Sequence, residues 1–195
     1  MKVAGLLLTG GASRRLGSPK ADLRVGGERL ADRNARLLAS VTSPALEVGP
    51  GWSSLESVQE AEAGSGPLAA VAAGGARLVG RGAGDRSVLV LAVDLPFLDE
   101  AVLRALADAP PADAVVPRVV GRLQPLCARY SAAALVRAGE MLSAGERSMH
   151  ALVDALAPSV RWFDEPEWSA VTTARCFADV DTPEDAHRFG LEAPG

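Results

Sequence analysis

Val88-Leu89-Val90-Leu91-Ala92-Val93 is aliphatic at every position, and Asp94-Leu95-Pro96 ends the run. A strand apolar on alternate residues has one dry face, whereas a run apolar throughout is dry on both, as in the centre of a sheet covered by helices on each side. Outward from this run the pattern repeats. Val3–Leu8, Ala45–Val48, Asp113–Val116, Leu123–Tyr130 and Val160–Asp164 read as further strands. Segments of helical period lie between them at 31–41, 67–79, 100–107, 132–142, 149–156 and 183–189. Strands alternating with helices predict βαβ units and an α/β fold with a mostly parallel sheet. Val119-Val120-Gly121-Arg122-Leu123 reads as a reversal between antiparallel strands, so the sheet is expected to be mixed.

The 195 residues are 48% apolar and 23% charged with a net charge of −4, values of one globular domain and not of a disordered, collagen-like or coiled-coil chain. No apolar run approaches the roughly 20 residues of a membrane span. The first run is cut short by Thr9-Gly10-Gly11, so no secretory leader is expected and a cytoplasmic location is. Cys127 and Cys176 form neither a CxxC pair nor a disulfide framework, lie far from His150 and His187, and read as small buried hydrophobes. The 1–195 chain shows no internal repeat and no linker. Gly80–Gly84 reads as a surface connection and the last three residues as a loose tail.

Charge is uneven. Residues 1–36 hold eight basic against three acidic side chains, a balance of +5 that leaves −9 for the remainder. Nucleic-acid binders are basic overall and rich in aromatics, whereas aromatics make up 4% here, so no nucleic-acid partner is expected and a small polyanion is. Arg29, Arg33 and Arg36, spaced four and three apart, read as a solvated helix face.

The basic residues cluster in Leu8-Thr9-Gly10-Gly11-Ala12-Ser13-Arg14-Arg15-Leu16-Gly17-Ser18-Pro19-Lys20, directly behind the first strand. In an open α/β sheet, ligands bind where strands end. Adjacent glycines let backbone N–H groups approach phosphates, and Arg14, Arg15 and Lys20 supply charge. Neither the Walker A spacing nor GxGxxG fits.

The pattern GGxSxRxGxxK after an N-terminal strand resembles the signature of nucleotidylyltransferases, and the loop as a whole resembles the molybdenum cofactor guanylyltransferase family. Gly66-Pro67-Leu68-Ala69-Ala70, Asp94-Leu95-Pro96-Phe97-Leu98 and Phe177-Ala178-Asp179-Val180-Asp181-Thr182-Pro183-Glu184-Asp185 resemble later segments of that family in the same order. The resemblance covers nearly the whole chain. It implies a Rossmann-like three-layer sandwich of nucleotidylyltransferase type, with a nucleotide-binding half at 1–100 and a pterin-substrate half at 101–190. The implied reaction transfers GMP from GTP to the terminal phosphate of molybdopterin or the molybdenum cofactor with Mg²⁺, releasing pyrophosphate. Molybdoenzymes or cofactor-insertion proteins are then the downstream partners.

By the same resemblance Leu8, Thr9 and Gly10 contact base and ribose, Gly11 through Arg15, Ser13 and Arg14 included, wrap the phosphates, and Lys20 neutralises the triphosphate. Gly49 and Glu60 (with Gln59 as a competing alignment) complete the nucleotide contacts with Gly66 and Pro67. Arg15, Lys20 and Asp94 are the candidate catalytic residues. Asp99 stands directly before the 100–107 helix and is the better N-cap, which leaves Asp94 as the Mg²⁺ ligand. Thr182-Pro183-Glu184-Asp185 reads as a capping box. Asp181 falls outside it, as a second metal ligand or pterin contact, with a structural role left open. Arg122, Gln124 and Pro125 are expected to face the second substrate, Arg147 beside a helix N-terminus to bind the pterin phosphate, and His150 to be partly buried. Two alternatives stay open: a cytidylyl- or sugar-1-phosphate nucleotidylyltransferase, and an inactive nucleotide-binding adaptor on the same fold.

Overall fold

The structure is a computed structural model that describes residues 3–10, 16–60 and 64–193. Its elements in chain order are β1 (Ala4–Leu8), a 3-10 turn (Lys20–Asp22), β2 (Arg24–Val25), β3 (Glu28–Arg29), α1 (Leu30–Val41), β4 (Ala45–Val48), β5 (Glu56–Val58) and α2 (Pro67–Gly80). After these come β6 (Val88–Ala92), α3 (Glu100–Asp108), β7 (Ala114–Val119), β8 (Arg122–Leu123), β9 (Cys127–Tyr130) and α4 (Ala132–Ser143). The chain continues through α5 (Met149–Leu156), β10 (Val160–Phe163), α6 (Glu165–Trp168), a second 3-10 turn (Ala174–Phe177) and α7 (Pro183–Phe189).

The eight-stranded sheet runs β10-β7-β9-β6-β1-β4-β5, with β8 paired to β7. β6, β1, β4 and β5 are mutually parallel, as are β7 and β10, and β9 is antiparallel to both its neighbours. The expected α/β class with a mainly parallel mixed sheet is what the chain adopts. Leu89 and Leu91 of β6 face a core packed by α1, α3 and the segment from Trp168 to Val180. Val88 and Val90 face the opposite core, packed by α2, α4 and α5. This two-sided burial is why the central run carries no polar residue.

Some expectations need correction. The strand read at Leu123–Tyr130 is two strands, β8 and β9, with Gln124 to Leu126 turning between them. The reversal before it is real: Val119 pairs with Arg122, and the turn puts Val120 (φ 49°) and Gly121 (φ 75°) in the left-handed region. β2, β3 and β5 are too short for periodicity to reveal. Arg33 does not belong to a solvated face. Its guanidinium is half-buried and donates to Leu98 O at 2.7 Å, whereas Arg29 pairs with Asp32 and Arg36 with Glu28 near the surface. Cys127 and Cys176 are free and buried, as expected.

Candidate active site

Three neighbouring parallel strands end level with one another, because Leu8 is in register with Val48 on one side and Ala92 on the other. The next residue of each chain segment continues the ladder: Thr9 N donates to Val48 O at 3.0 Å, and Val93 N to Leu8 O at 3.1 Å. Thr9-Gly10, Gly49-Pro50 and Val93-Asp94 therefore leave the sheet side by side. They open a cleft of about 900 Å³. Leu8, Thr9, Gly10 and Lys20 line it, as do Gly49, Glu60, Gly66, Pro67 and Asp94, so the candidate nucleotide, catalytic and metal residues that the structure describes, apart from Asp181, meet in one cavity. Gly11, Ser13, Arg14 and Arg15 lie outside the described residues.

At one end of the cleft sits a charge cluster. Lys20 Nζ donates to Asp94 Oδ2 at 2.9 Å and to a carboxylate oxygen of the exposed Asp181. Burial alone would lower the Lys20 ammonium, but Asp94 and Asp181 outweigh it and hold the group above the ordinary lysine value. For Asp94, burial pushes the carboxyl upward and Lys20 opposes. Backbone on both sides of Asp94 is fixed: the fully buried Asn34 of α1 donates from Nδ2 to Val93 O at 3.0 Å and Leu95 O at 3.4 Å, and Val180 N donates to Asp94 O at 3.0 Å. Asp99 is indeed the cap of α3, accepting from Val102 N at 3.0 Å, which leaves Asp94 free of that task. The capping box at Thr182 and Asp185 is also present, and Asp185 accepts from Asp181 N at 3.2 Å, which orients Asp181 toward the lysine.

Two carboxylates that converge on one point are a donor set of hard oxygens. Among the described residues no group of three or more His, Cys, Asp or Glu gathers elsewhere or here. Magnesium takes one or two protein carboxylates, with phosphate oxygens and water completing its shell, so Asp94 and Asp181 fit such an ion.

The other end of the cleft is acidic and aromatic. Glu60 Oε2 is buried without a hydrogen-bond partner among the described residues, and burial pushes this carboxyl up while the Ser65 N–H opposes. Gly49 has φ +150°, and a β-carbon there would overlap Thr9 Oγ1 and come within 2.9 Å of Gly10 N. Only glycine lets β4's end lie this close to β1's. Beneath both is Glu47, a fully buried carboxylate that the sequence reading passed over.

Other candidate residues lie outside this cleft or turn away from it. Arg122, Gln124 and Pro125 do not line the cleft, and only Leu126 of that stretch does. Arg147 turns its guanidinium back onto Leu142 O and Glu146 O, and the Glu146 carboxylate accepts from Arg147 N and Ser148 N. The two amides that lead into α5 are thus taken by the chain's own anion. His150 is exposed, not partly buried. The reading also missed Asn34 and Glu47. Each has a signal in the sequence: a polar residue on the apolar stripe of α1, and a carboxylate inside Ala45-Leu46-Glu47-Val48.

Solved structures share the whole architecture. The molybdopterin-guanine dinucleotide biosynthesis protein A of Archaeoglobus fulgidus superposes with a TM-score of 0.76 at 21% identity, covering 96% of each chain. The 2-C-methyl-D-erythritol 4-phosphate cytidylyltransferase of Thermus thermophilus does so at 0.65 and 24% identity, covering 97% of each. The fold is that of the α/β nucleotidyltransferases. Residues 5–160 match the model of the MobA-like NTP transferase domain, and the chain belongs to that family. It is 36% identical to the probable molybdenum cofactor guanylyltransferase of Chloroflexus aggregans, over 95% of this chain and 92% of that protein. It is 33% identical to the molybdenum cofactor guanylyltransferase of Rhodobacter capsulatus, over 96% and 95%. The protein is therefore an enzyme of nucleotidyl transfer. Among the described residues no helix is long and apolar enough to cross a membrane.

Proposed function

We propose that the protein transfers the GMP moiety of GTP to the terminal phosphate of molybdopterin or the molybdenum cofactor. A phosphate oxygen of the pterin attacks the α-phosphorus of GTP, a new P–O bond forms, the bond from the α-phosphorus to the bridging oxygen breaks, and pyrophosphate departs. The names of the relatives support the substrates, and the observation that carries the reading is the division of the cleft between an end where Lys20 stands with Asp94 and Asp181 and an end that holds Glu60. Lys20 meets the triphosphate and steadies charge as it shifts onto the leaving group, a gain realised mainly in the transition state. Asp94 and Asp181 keep that lysine charged and aimed. They are also the residues that would hold Mg²⁺, which when bound supplies further neutralisation of phosphate charge.

At the acidic end Glu60 selects the base. Guanine presents adjacent N1–H and N2 amino donors, which suit a carboxylate whose Oε2 has no other partner, whereas cytosine and adenine set an acceptor beside their amino group. The experiment is calorimetric titration of the protein with GTP, CTP and ATP in Mg²⁺ buffer, paired with pyrophosphate release on adding molybdopterin. GTP should bind most tightly and alone support release. Tighter binding of CTP overturns the base assignment.

A further inference from the structure

Glu47 lies on β4 opposite Leu7 of β1, wholly enclosed, yet it accepts five hydrogen bonds. Oε1 takes the Thr9 hydroxyl at 2.5 Å, Gly51 N at 2.9 Å and Trp52 N at 2.8 Å, and Oε2 takes Ser53 N at 2.8 Å and Ser53 Oγ at 2.7 Å. Burial would raise this carboxyl, but the hydrogen bonds from Thr9, Ser53 and Trp52 outweigh it and hold it below the ordinary glutamate value, so it is an anion at neutral pH. No cation is among those five donors. A buried charge satisfied by dipoles alone imposes geometry, because each donor must point at one small target. Three successive amides, 51 to 53, turn inward as a result. The turn places Gly49, Pro50 and Trp52 along the cleft, and Oε1 ties it to Thr9 at the neighbouring strand end.

Charge says which part of a nucleotide meets this wall. Lys20 is the basic residue among the described residues that line the cleft, while Glu60 lines this side and Glu56 is paired outside it with Arg77 and Arg81, so the triphosphate belongs with Lys20 and the uncharged nucleoside belongs here. Trp52 supplies an aromatic surface to the cleft that Glu60 also lines. We propose that Glu47 is a positioning residue that sets the 49–53 segment from below, so that Trp52 forms the wall against which the nucleoside of the bound nucleotide rests. This rests on the reading of the cleft as a nucleoside triphosphate site but not on the identity of the base.

The test compares two ligands, GTP and inorganic tripolyphosphate, titrated calorimetrically in Mg²⁺ buffer. Glu47→Gln places an amide nitrogen where Oε2 faces the Ser53 N–H, setting donor against donor. GTP affinity should fall about tenfold or more while tripolyphosphate affinity stays within about twofold. Trp52→Ala alters only a half-buried side chain and should give the same split, which keeps the test open if Glu47→Gln does not fold. Rescue by Trp52→Phe, which keeps an aromatic wall, should return most of the GTP affinity. Equal losses for both ligands, or no loss for either, overturn the role of Glu47 and Trp52 and leave the proposed function standing. A wild-type protein that binds tripolyphosphate but no nucleoside triphosphate overturns both.

Discussion

Replacing Lys20 by methionine removes the ammonium and keeps the bulk of the stem. The pair it breaks has Lys20 Nζ 2.9 Å from Asp94 Oδ2, with the two side chains 20% and 22% exposed. At an effective dielectric constant of about 20 the gross attraction at that separation is roughly 6 kcal/mol, most of which is offset by the desolvation of both groups. What remains on deletion is an Asp94 carboxylate without its main counter-charge. Breaking a fully buried pair costs about 3–5 kcal/mol, and partial solvent access here brings the expected loss to about 1–3 kcal/mol. For a chain of this length that is a fall in Tm of roughly 3–10 °C. Nucleotidyl transfer should fall about 10- to 150-fold, the worth of one charge-assisted hydrogen bond of roughly 1.5–3 kcal/mol in the transition state. The informative partner is the double variant Lys20→Met/Asp94→Asn, which removes the orphaned charge as well. It should regain most of the lost stability and none of the lost rate. Thermal unfolding and single-turnover pyrophosphate release, run on both proteins, separate the two effects. A double variant no more stable than Lys20→Met, or a Lys20→Met enzyme with the wild-type rate constant, would show that the pair does not work as described.

Asn34→Ala strips the buried carbonyls of Val93 and Leu95 of a donor and should cost about 2–3 kcal/mol in denaturant unfolding; an unchanged midpoint would mean that α1 does not hold the strand end. Gly49→Ala forces a β-carbon into Thr9 at a φ of +150°, so the protein should fold with a lowered Tm and bind GTP about tenfold more weakly by calorimetry, and full retention of affinity would contradict the close approach of the two strand ends.

The larger elements were legible because their signals are local. The periodicity that predicts a helix over 67–79 needs only one face of that segment to be dry, and α2 indeed runs from Pro67 to Gly80. Ser131, Ser148 and Thr182 cap the helices that follow them through contacts three residues away. What stayed hidden depends on distant neighbours. Arg33 resembles Arg29 and Arg36 in spacing and differs only because Leu98 O lies within its reach after folding. Glu47 is a single acidic letter in a four-residue strand, and its five donors come from the end of β1 and a loop without periodicity. Arg147 had the right composition for an anion site, but its guanidinium turns back onto Leu142 O and Glu146 O, and the Glu146 carboxylate takes the amides of Arg147 and Ser148. Asp94, Lys20 and Asp181 were legible as separate motifs. Their meeting at one nitrogen atom was not.

The link from Val180 N to Asp94 O, together with Asp181 on Lys20, also sets a schedule. The strands that form the cleft, β1, β4, β5 and β6, emerge from a ribosome first, whereas the cluster around Lys20 waits for Val180 and Asp181, much later in the chain. A growing chain can therefore bury its sheet and shape a nucleotide pocket well before it possesses a complete catalytic end. Val180 itself is anchored in the core, but α7, which follows it, contributes no buried residue, and segments so placed open at lower free energy than the core. Proteolytic nicking behind Val180 would consequently silence the enzyme while most of its fold stayed intact.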